Sequence, residues 1–260
     1  MKKITGADNN NALDLQQVKD QIIASRNEID IIKLCSKIAK DLGISFFSYF
    51  LFSASNFHDQ KYRILSDCNT RWTHRYKEKS YLLFDPAIRK CLQSLTPIFW
   101  NTQELNNKTM SDKAKTIIKE KHEYGLRAGI MVPVFDSKGV SGVFELGLDE
   151  DLFTDQSLRY LEQIAPYASY LGCFIHQSII KLLRPEMVRH SETLTRREID
   201  CLTWVADGMT ASEIGSKLYI SENTVKFHSK NIIKKLEARN TAQALSIAII
   251  RGLIKPVFQK

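Results

Sequence analysis

The sequence has little with which to cross-link itself. Its five cysteines, Cys35, Cys68, Cys91, Cys173 and Cys201, are odd in number, and no two stand in a CxxC spacing. That argues against a disulfide framework and a cysteine-rich zinc site, and leaves buried free thiols as the reading. No apolar run is long enough to span a bilayer. The opening "MKKITGADNNNALDLQQ" has two lysines but no apolar core, so it is not a secretory signal. A cytoplasmic protein without a membrane partner is expected. The signatures of enzymes are missing too: no nucleophile elbow, no P-loop, no HExxH, no glycine-rich dinucleotide motif. The six histidines are dispersed. No catalytic residue, no metal and no cofactor are therefore expected.

What remains is an ordinary globular composition, 43% hydrophobic and 25% charged, over 260 residues. That length accommodates two domains. The net charge of +8 favours an anionic partner without choosing between nucleic acid and membrane. The charge is uneven. From Arg189 onward there are twelve Lys/Arg and seven Asp/Glu, a balance of +5, against 25 and 22, a balance of +3, before it. The break falls in "LLRPEMVRHSETL", where Pro185 disfavours helix at Arg184. Residues 1–183 are read as one domain, 184–192 as a linker and 193–260 as a second domain.

The first domain mixes periods. "LDLQQVKDQIIASRNEIDIIKLCSKIAKDLG" spaces its apolar residues as a helix does, and "FFSYFLFSA" and "KYRILSD" read as strands. "AGIMVPVFDSKGVSGVFELGLD" reads as a hairpin turning at Asp136 to Gly139. "DQSLRYLEQIAPYASYLGCFIHQSIIKLL" is a long helical pattern. The expected class is α+β, with α/β/α layers around an antiparallel sheet. The second domain reads as all helix. Thr195 with Glu198 and Thr210 with Glu213 are capping boxes, and Ser221 and Asn240 are N-caps. Gly208 sits where the first helix stops. Four short helices follow.

"TASEIGSKL", the tight turn "YIS" and "ENTVKFHSKNIIKKLEA" outline a helix-turn-helix. In the last helix Val225, Ile232, Ile233 and Leu236 form an apolar stripe, and Lys226, Lys230 and Lys234 form a cationic row. A lysine row is usually only a solvated face, but the turn before it and the positive domain favour DNA. Asn223 and Lys226 are placed to reach base edges and Phe227 a thymine methyl, with Thr224 in the same set. Lys230 and Lys234 suit phosphates. His228 is read as packed or capping, with a phosphate contact as the lesser reading.

Residues 194–254 resemble the LuxR-type helix-turn-helix over its whole length, with Glu198, Leu202 and Gly208 at three characteristic positions. Domains of several kinds precede such a module. The acidic pair and central aspartate of a phosphoryl-accepting receiver are not found here. The acyl-homoserine-lactone-binding domain of quorum-sensing regulators is matched in order and spacing by Trp72, Tyr76, Asp85, Pro86, Trp100 and Gly129. The resemblance implies a cavity in which Asp85 accepts the amide N–H of an N-acyl-homoserine lactone. Trp100 would donate to the lactone carbonyl and Tyr76 to the acyl carbonyl, while Gly129 leaves room in the sheet. Trp72 lies one helical turn from Tyr76 and faces the same way. Taken singly, these aromatics read as core, and Asp85 as the cap of a helix starting at Pro86.

Three pocket positions depart from the family: Cys68, Met131 and Glu145. Alternation puts Val143, Glu145 and Gly147 on one face of a strand. Glu145 is expected to reach solvent, to pair with Arg63 or Arg127, or to bond a polar group on the ligand, the last being preferred. The resemblance implies a ligand-responsive transcription factor that binds a double-stranded DNA operator, with RNA polymerase open as a further partner. A homodimer is expected, because one helix-turn-helix is too small for tight specific binding and the helix from Asp155 to Leu183 is apolar beyond one side. The alternative is the same architecture answering a non-lactone signal, or acting without ligand.

Overall fold

The computed structural model describes residues 14–54, 60–102, 110–136, 140–149, 155–188 and 194–255. The chain divides into two compact units, the break along its longest helix falling between Leu182 and Leu183; the second unit also takes in the strand ends 52–54, 60–62 and Phe135, while the first unit holds most of each of these strands.

The first unit opens with α1 (Leu15–Ala24) and α2 (Glu28–Asp41). The single helical pattern of the sequence is thus two helices. Asp14 caps the first, and Asn27, in extended backbone, caps the second by accepting from the Asp30 N–H. An internal N-cap restarts the helix because its side chain satisfies a donor that a continuous helix would have used itself. Then come β1 (Phe46–Ala54), β2 (Gln60–Ser66), α3 (Thr70–Glu78), a 3-10 turn (Tyr81–Leu83) and α4 (Pro86–Leu92). They are followed by β3 (Ile98–Asn101), α5 (Asp112–Glu123), β4 (Ala128–Phe135), β5 (Ser141–Leu148) and α6 (Asp155–Val188).

The strands form one antiparallel sheet in the order β2-β1-β5-β4-β3. β3 pairs with β4 so that Trp100 faces Gly129 and Ile98 faces Met131. Strand alternation sorts β5 into two layers. Phe144 points to α6 and packs at Gly172, where a Cβ would sit in ordinary contact, 3.4 Å from both Phe144 and Val134. Glu145 points to the other face, toward α3 and α5, where it shares a cavity with Trp72, Tyr76 and Lys121. The result is the expected α/β/α layering. On α6, Leu161, Ile164, Ala168, Leu171, Ile175, Ile179 and Leu183 are buried along one stripe.

The stretch 184–192, expected as a linker, is helical in its first part. Helix α6 continues to Val188, straight through Arg184 and Pro185. A proline removes one backbone donor and crowds the preceding turn, a local cost that a helix already thirty residues long absorbs. Residues 189–192 lie outside the described residues.

The second unit carries α7 (Arg196–Ala206), α8 (Ala211–Leu218), α9 (Glu222–Lys235) and α10 (Thr241–Ile250). Both capping boxes form, and Ser221 and Asn240 cap α9 and α10. Cys201, Leu202, Ile214, Val225, Ile232, Leu236, Ala244 and Ile247 join in one core. Glu198 is buried at the head of α7. It accepts from the Thr195 N–H at 2.7 Å and from the Lys235 ammonium at 2.9 Å, tying α7 to the end of α9.

Candidate functional site

The face of the sheet opposite α6 carries a small cavity of about 20 Å³, close to the space of one water molecule. Its walls differ in character. Phe50, Ile64, Trp72, Tyr76 and Leu126 make the apolar side, and Ser48, Ser66, Cys68, Lys121 and Glu145 the polar side. The apolar wall belongs to a wider aromatic cluster. Trp72 lies 5.3 Å from Tyr76 and 5.5 Å from Tyr124 between ring centroids, and Tyr76 lies 6.0 Å from Phe50. These separations suit tilted and edge-to-face aromatic packing.

Asp85 stands behind this wall, only 2% exposed. One of its oxygens caps α4, accepting from the N–H of Ala87 at 3.0 Å and of Ile88 at 3.5 Å. The other accepts from the Tyr76 hydroxyl at 2.9 Å and from the Lys121 ammonium at 2.9 Å. The roughly four acceptor positions of a carboxylate are thereby filled.

Lys121 is the residue that sequence reasoning missed. It lies on α5, is 3% exposed, and holds its ammonium 4.5 Å from the centre of the Trp100 ring. Burial works against its charge, but Asp85 and Glu145 outweigh burial and hold its pKa above the ordinary lysine value. The signal for it was present in the sequence. Ala114, Ile117, Ile118 and Lys121 are the buried residues of α5. They follow the spacing of an apolar stripe that ends on a lysine. Next to it Glu120 grips Arg75 of α3 through two hydrogen bonds of 3.0 and 2.8 Å.

Trp100 and Gly129 act together. A Cβ at Gly129 would lie 2.5 Å from the Leu146 carbonyl and 2.9 Å from the Trp100 indole nitrogen, so the indole lies across a position open only to glycine. That nitrogen is buried without a hydrogen-bond partner. Met131 is fully buried on β4 but is not among the residues that line the cavity. Cys68 lines it, with its sulfur 3.3 Å from the Ser48 hydroxyl. Burial foremost, then the nearby Glu145, push the Cys68 thiol up to about 12, so it holds its proton.

Glu145 is 1% exposed, which removes the expectation that it reaches solvent. Its expected partners are engaged elsewhere: Arg63 bonds Glu28 at 2.7 Å and Arg127 bonds His122 at 3.0 Å. The cation that acts on Glu145 is Lys121. Burial, reinforced by Asp85, outweighs Lys121 and a hydrogen bond from Ser48, and pushes the Glu145 carboxyl up to about 7. One of its oxygens has no hydrogen-bond partner.

The cationic row stands in the second unit. Asn223, Lys226, Phe227, Lys230 and Lys234 are exposed on α9, and the apolar stripe is turned inward. Thr224 is half-buried, and its hydroxyl meets that of the capping Ser221 at 2.8 Å. Lys226 pairs with Glu222 at 2.6 Å on the surface, an arrangement worth under about 1 kcal/mol. His228 is half-buried with its ring 6.0 Å from Phe227. The turn between α8 and α9 is tight because a Cβ at Gly215 would lie 2.8 Å from the Ile220 carbonyl. It leaves Tyr219, an aromatic that sequence reasoning did not single out, in the left-handed region and 95% exposed. Among the described residues no cluster of side chains suits a metal ion, and no helix is long and apolar enough to cross a membrane.

Comparison with known proteins agrees with both halves. Residues 27–176 match the autoinducer binding domain, and residues 192–248 match the bacterial regulatory proteins of the luxR family. The transcriptional activator protein AnoR of Acinetobacter nosocomialis is 30% identical over 232 residues, covering 88% of this chain and 94% of that one. The transcriptional activator protein LuxR of Aliivibrio fischeri is 26% identical over 258 residues, covering 94% and 96%. Among solved structures, Escherichia coli SdiA superposes with a TM-score of 0.71 at 22% identity, over 93% of this chain and 98% of that one. SdiA in complex with octanoyl-rac-glycerol gives 0.72 at 22%, over 94% and 96%. A small-molecule domain ahead of a helix-turn-helix makes this chain a ligand-responsive, DNA-binding transcriptional regulator rather than an enzyme. It belongs to the LuxR family of autoinducer-binding regulators.

The raised pKa of Glu145 has a definite sign. Between the ordinary glutamate value of 4.5 and about 7, the folded state holds a proton that the unfolded state has lost. Stability from this group is therefore full below 4.5 and falls as pH rises through 7. Glu145→Gln removes the titration. In paired denaturant unfolding, the variant is expected to gain on wild type between pH 4.5 and pH 8 by up to about 3 kcal/mol. An equal difference at both pH values would mean that Glu145 ionises freely in the fold.

Proposed function

We propose that the regulator senses an N-acyl-homoserine lactone in quorum sensing and binds its operator as a homodimer. The observation that carries the ligand reading is the buried Asp85 carboxylate bonded to Tyr76, with the unpartnered Trp100 indole joined to it through Lys121 and Trp72 packed on Tyr76. The lactone amide donates to Asp85, its ring carbonyl accepts from Trp100, and its acyl carbonyl accepts from Tyr76. Because Asp85 is saturated, the amide N–H must take the place of a present donor, and the Tyr76 hydroxyl is the one with a new acceptor to turn to. The small cavity has to widen, since sites for molecules of drug size span about 300–1,000 Å³. Ligand binding is thus coupled to repacking of α3 and α5 against the sheet.

A second reading has one observation behind it. Ser48, Ser66, Cys68, Lys121 and Glu145 bring polar groups to the cavity, and SdiA takes octanoyl-glycerol, an acyl compound without lactone or amide. Melting curves against a panel of acyl-homoserine lactones and a monoacylglycerol separate the two. A lactone at a hundredfold excess over its dissociation constant is expected to add about 2.7 kcal/mol of stability. Asp85→Asn, which keeps the cap of α4 but loses the anion, is expected to lose most of that gain. A shift with acylglycerol and with no lactone would reject the lactone reading.

At the other end α9 enters the major groove, with Asn223, Lys226 and Phe227 toward bases and Lys230 and Lys234 toward phosphates. Thr224 shapes the helix start. Dimerisation supplies two half-sites, and RNA polymerase is the partner of a bound activator. The Lys226–Glu222 pair yields when a phosphate or a base edge replaces the carboxylate. Lys226→Ala and Lys230→Ala are each expected to weaken operator binding by about 1–3 kcal/mol in fluorescence anisotropy, with affinity falling steeply as salt rises. Unchanged affinity in both variants would remove α9 as the reading helix.

A further inference from the structure

The lactone head accounts for Asp85, Trp100 and Tyr76. It does not account for Lys121 or Glu145. Lys121 is a buried ammonium with three N–H donors, and among the described residues it bonds Asp85 and lies over the Trp100 ring. Glu145 is a buried carboxyl with one oxygen unpartnered. Both line the same cavity, on its polar wall beside Ser48, Ser66 and Cys68. Unspent donors and acceptors in a buried place each cost more than about 1 kcal/mol. A cavity that keeps a donor and an acceptor facing one space is matched by a group that both accepts and donates.

We infer that Lys121 and Glu145 form a hydroxyl-selective subsite, in which an alcohol on the signal's acyl chain accepts from the Lys121 ammonium and donates to Glu145. The inference rests on the lactone reading for where the amide sits. Lys121 bonds Asp85 at 2.9 Å, so an alcohol on Lys121 lies within a few atoms of an amide on Asp85. Along an acyl chain that is the 3-position. A 3-oxo group accepts from Lys121 but leaves the Glu145 oxygen unspent. An unsubstituted chain leaves both unspent. Sites built to bond a substrate hydroxyl discriminate strongly against analogues without it, because the site's own polar groups are then stranded. Lys121 and Glu145 are in this sense the specificity-determining residues of the pocket, set apart from the aromatic residues that hold the head.

The test uses the full-length protein at pH 8 and three lactones of one chain length: unsubstituted, 3-oxo and 3-hydroxy. Affinities come from ligand-dependent melting or titration calorimetry. Wild type is expected to bind the 3-hydroxy lactone about tenfold or more tighter than the other two. Glu145→Gln supplies an amide N–H2 that donates to a ketone, and its ranking is expected to move toward the 3-oxo lactone. Lys121→Met is expected to flatten the ranking; Glu145→Gln, which loses no counter-charge on Asp85, gives a readout even where Lys121→Met does not fold. Lactones that bind wild type without preference for the hydroxyl, or a ranking unchanged in Glu145→Gln, would overturn the subsite and leave the lactone reading standing. If no lactone of the three binds, the lactone reading fails and the subsite falls with it.

Discussion

One carboxylate organises the ligand-binding face of this regulator. Asp85 caps α4 with one oxygen and holds α3 through Tyr76 and α5 through Lys121 with the other. Three helices that cover the sheet therefore meet on a single side chain. Burying a charge is costly unless it is paired and hydrogen-bonded. Here the pairing is complete, so the site stays closed around a cavity close to the size of a water molecule. A ligand that replaces one donor on Asp85 necessarily disturbs the joint of those helices, which is a direct physical route from signal to shape.

The electrostatic balance of the pocket follows from the same joint. Lys121 neutralises Asp85, and Glu145 is left as the group whose charge is not settled. Burial and Asp85 push it toward the neutral acid while Lys121 and Ser48 pull the other way. A neutral ligand with matching polar groups suits such a site. Among the described residues that line the cavity, Lys121 is the one cation to meet a net anion, and it is already shared between two carboxyls. Cys68 adds a protonated thiol rather than a further charge.

Much of this was legible in the sequence, for reasons that differ by element. The capping boxes at Thr195 and Thr210 form as read, because a cap needs only residues three apart. The strand "FFSYFLFSA" is β1 residue for residue, since a short run of aromatic bulk is a local signal. Asp85 was readable both as a cap and as a site residue, and the structure uses it as a cap and places it behind Tyr76 and Lys121, which line the cavity. The run around Arg184 and Pro185 misled, because a proline's local preference yields to a long helix. Lys121 was invisible to composition and motif. Lysine is almost never fully buried unless paired, and its partner lies 36 positions away on another helix. Only the apolar stripe it terminates, Ala114, Ile117 and Ile118, pointed to it. The burial of Glu145 followed from strand register, but the cation facing it did not.

The central claim is that Asp85 and Lys121 are one unit within the ligand-binding fold. A double-mutant cycle on unliganded protein measures it directly, with Asp85→Asn, Lys121→Met and the pair compared by denaturant unfolding. Breaking a buried pair from one side strands the other charge, so Lys121→Met is expected to cost about 3–5 kcal/mol. The double variant is expected to recover more than about 1 kcal/mol of the summed single costs. Costs that simply add would contradict the account, because they would show two residues that stabilise the fold independently of each other.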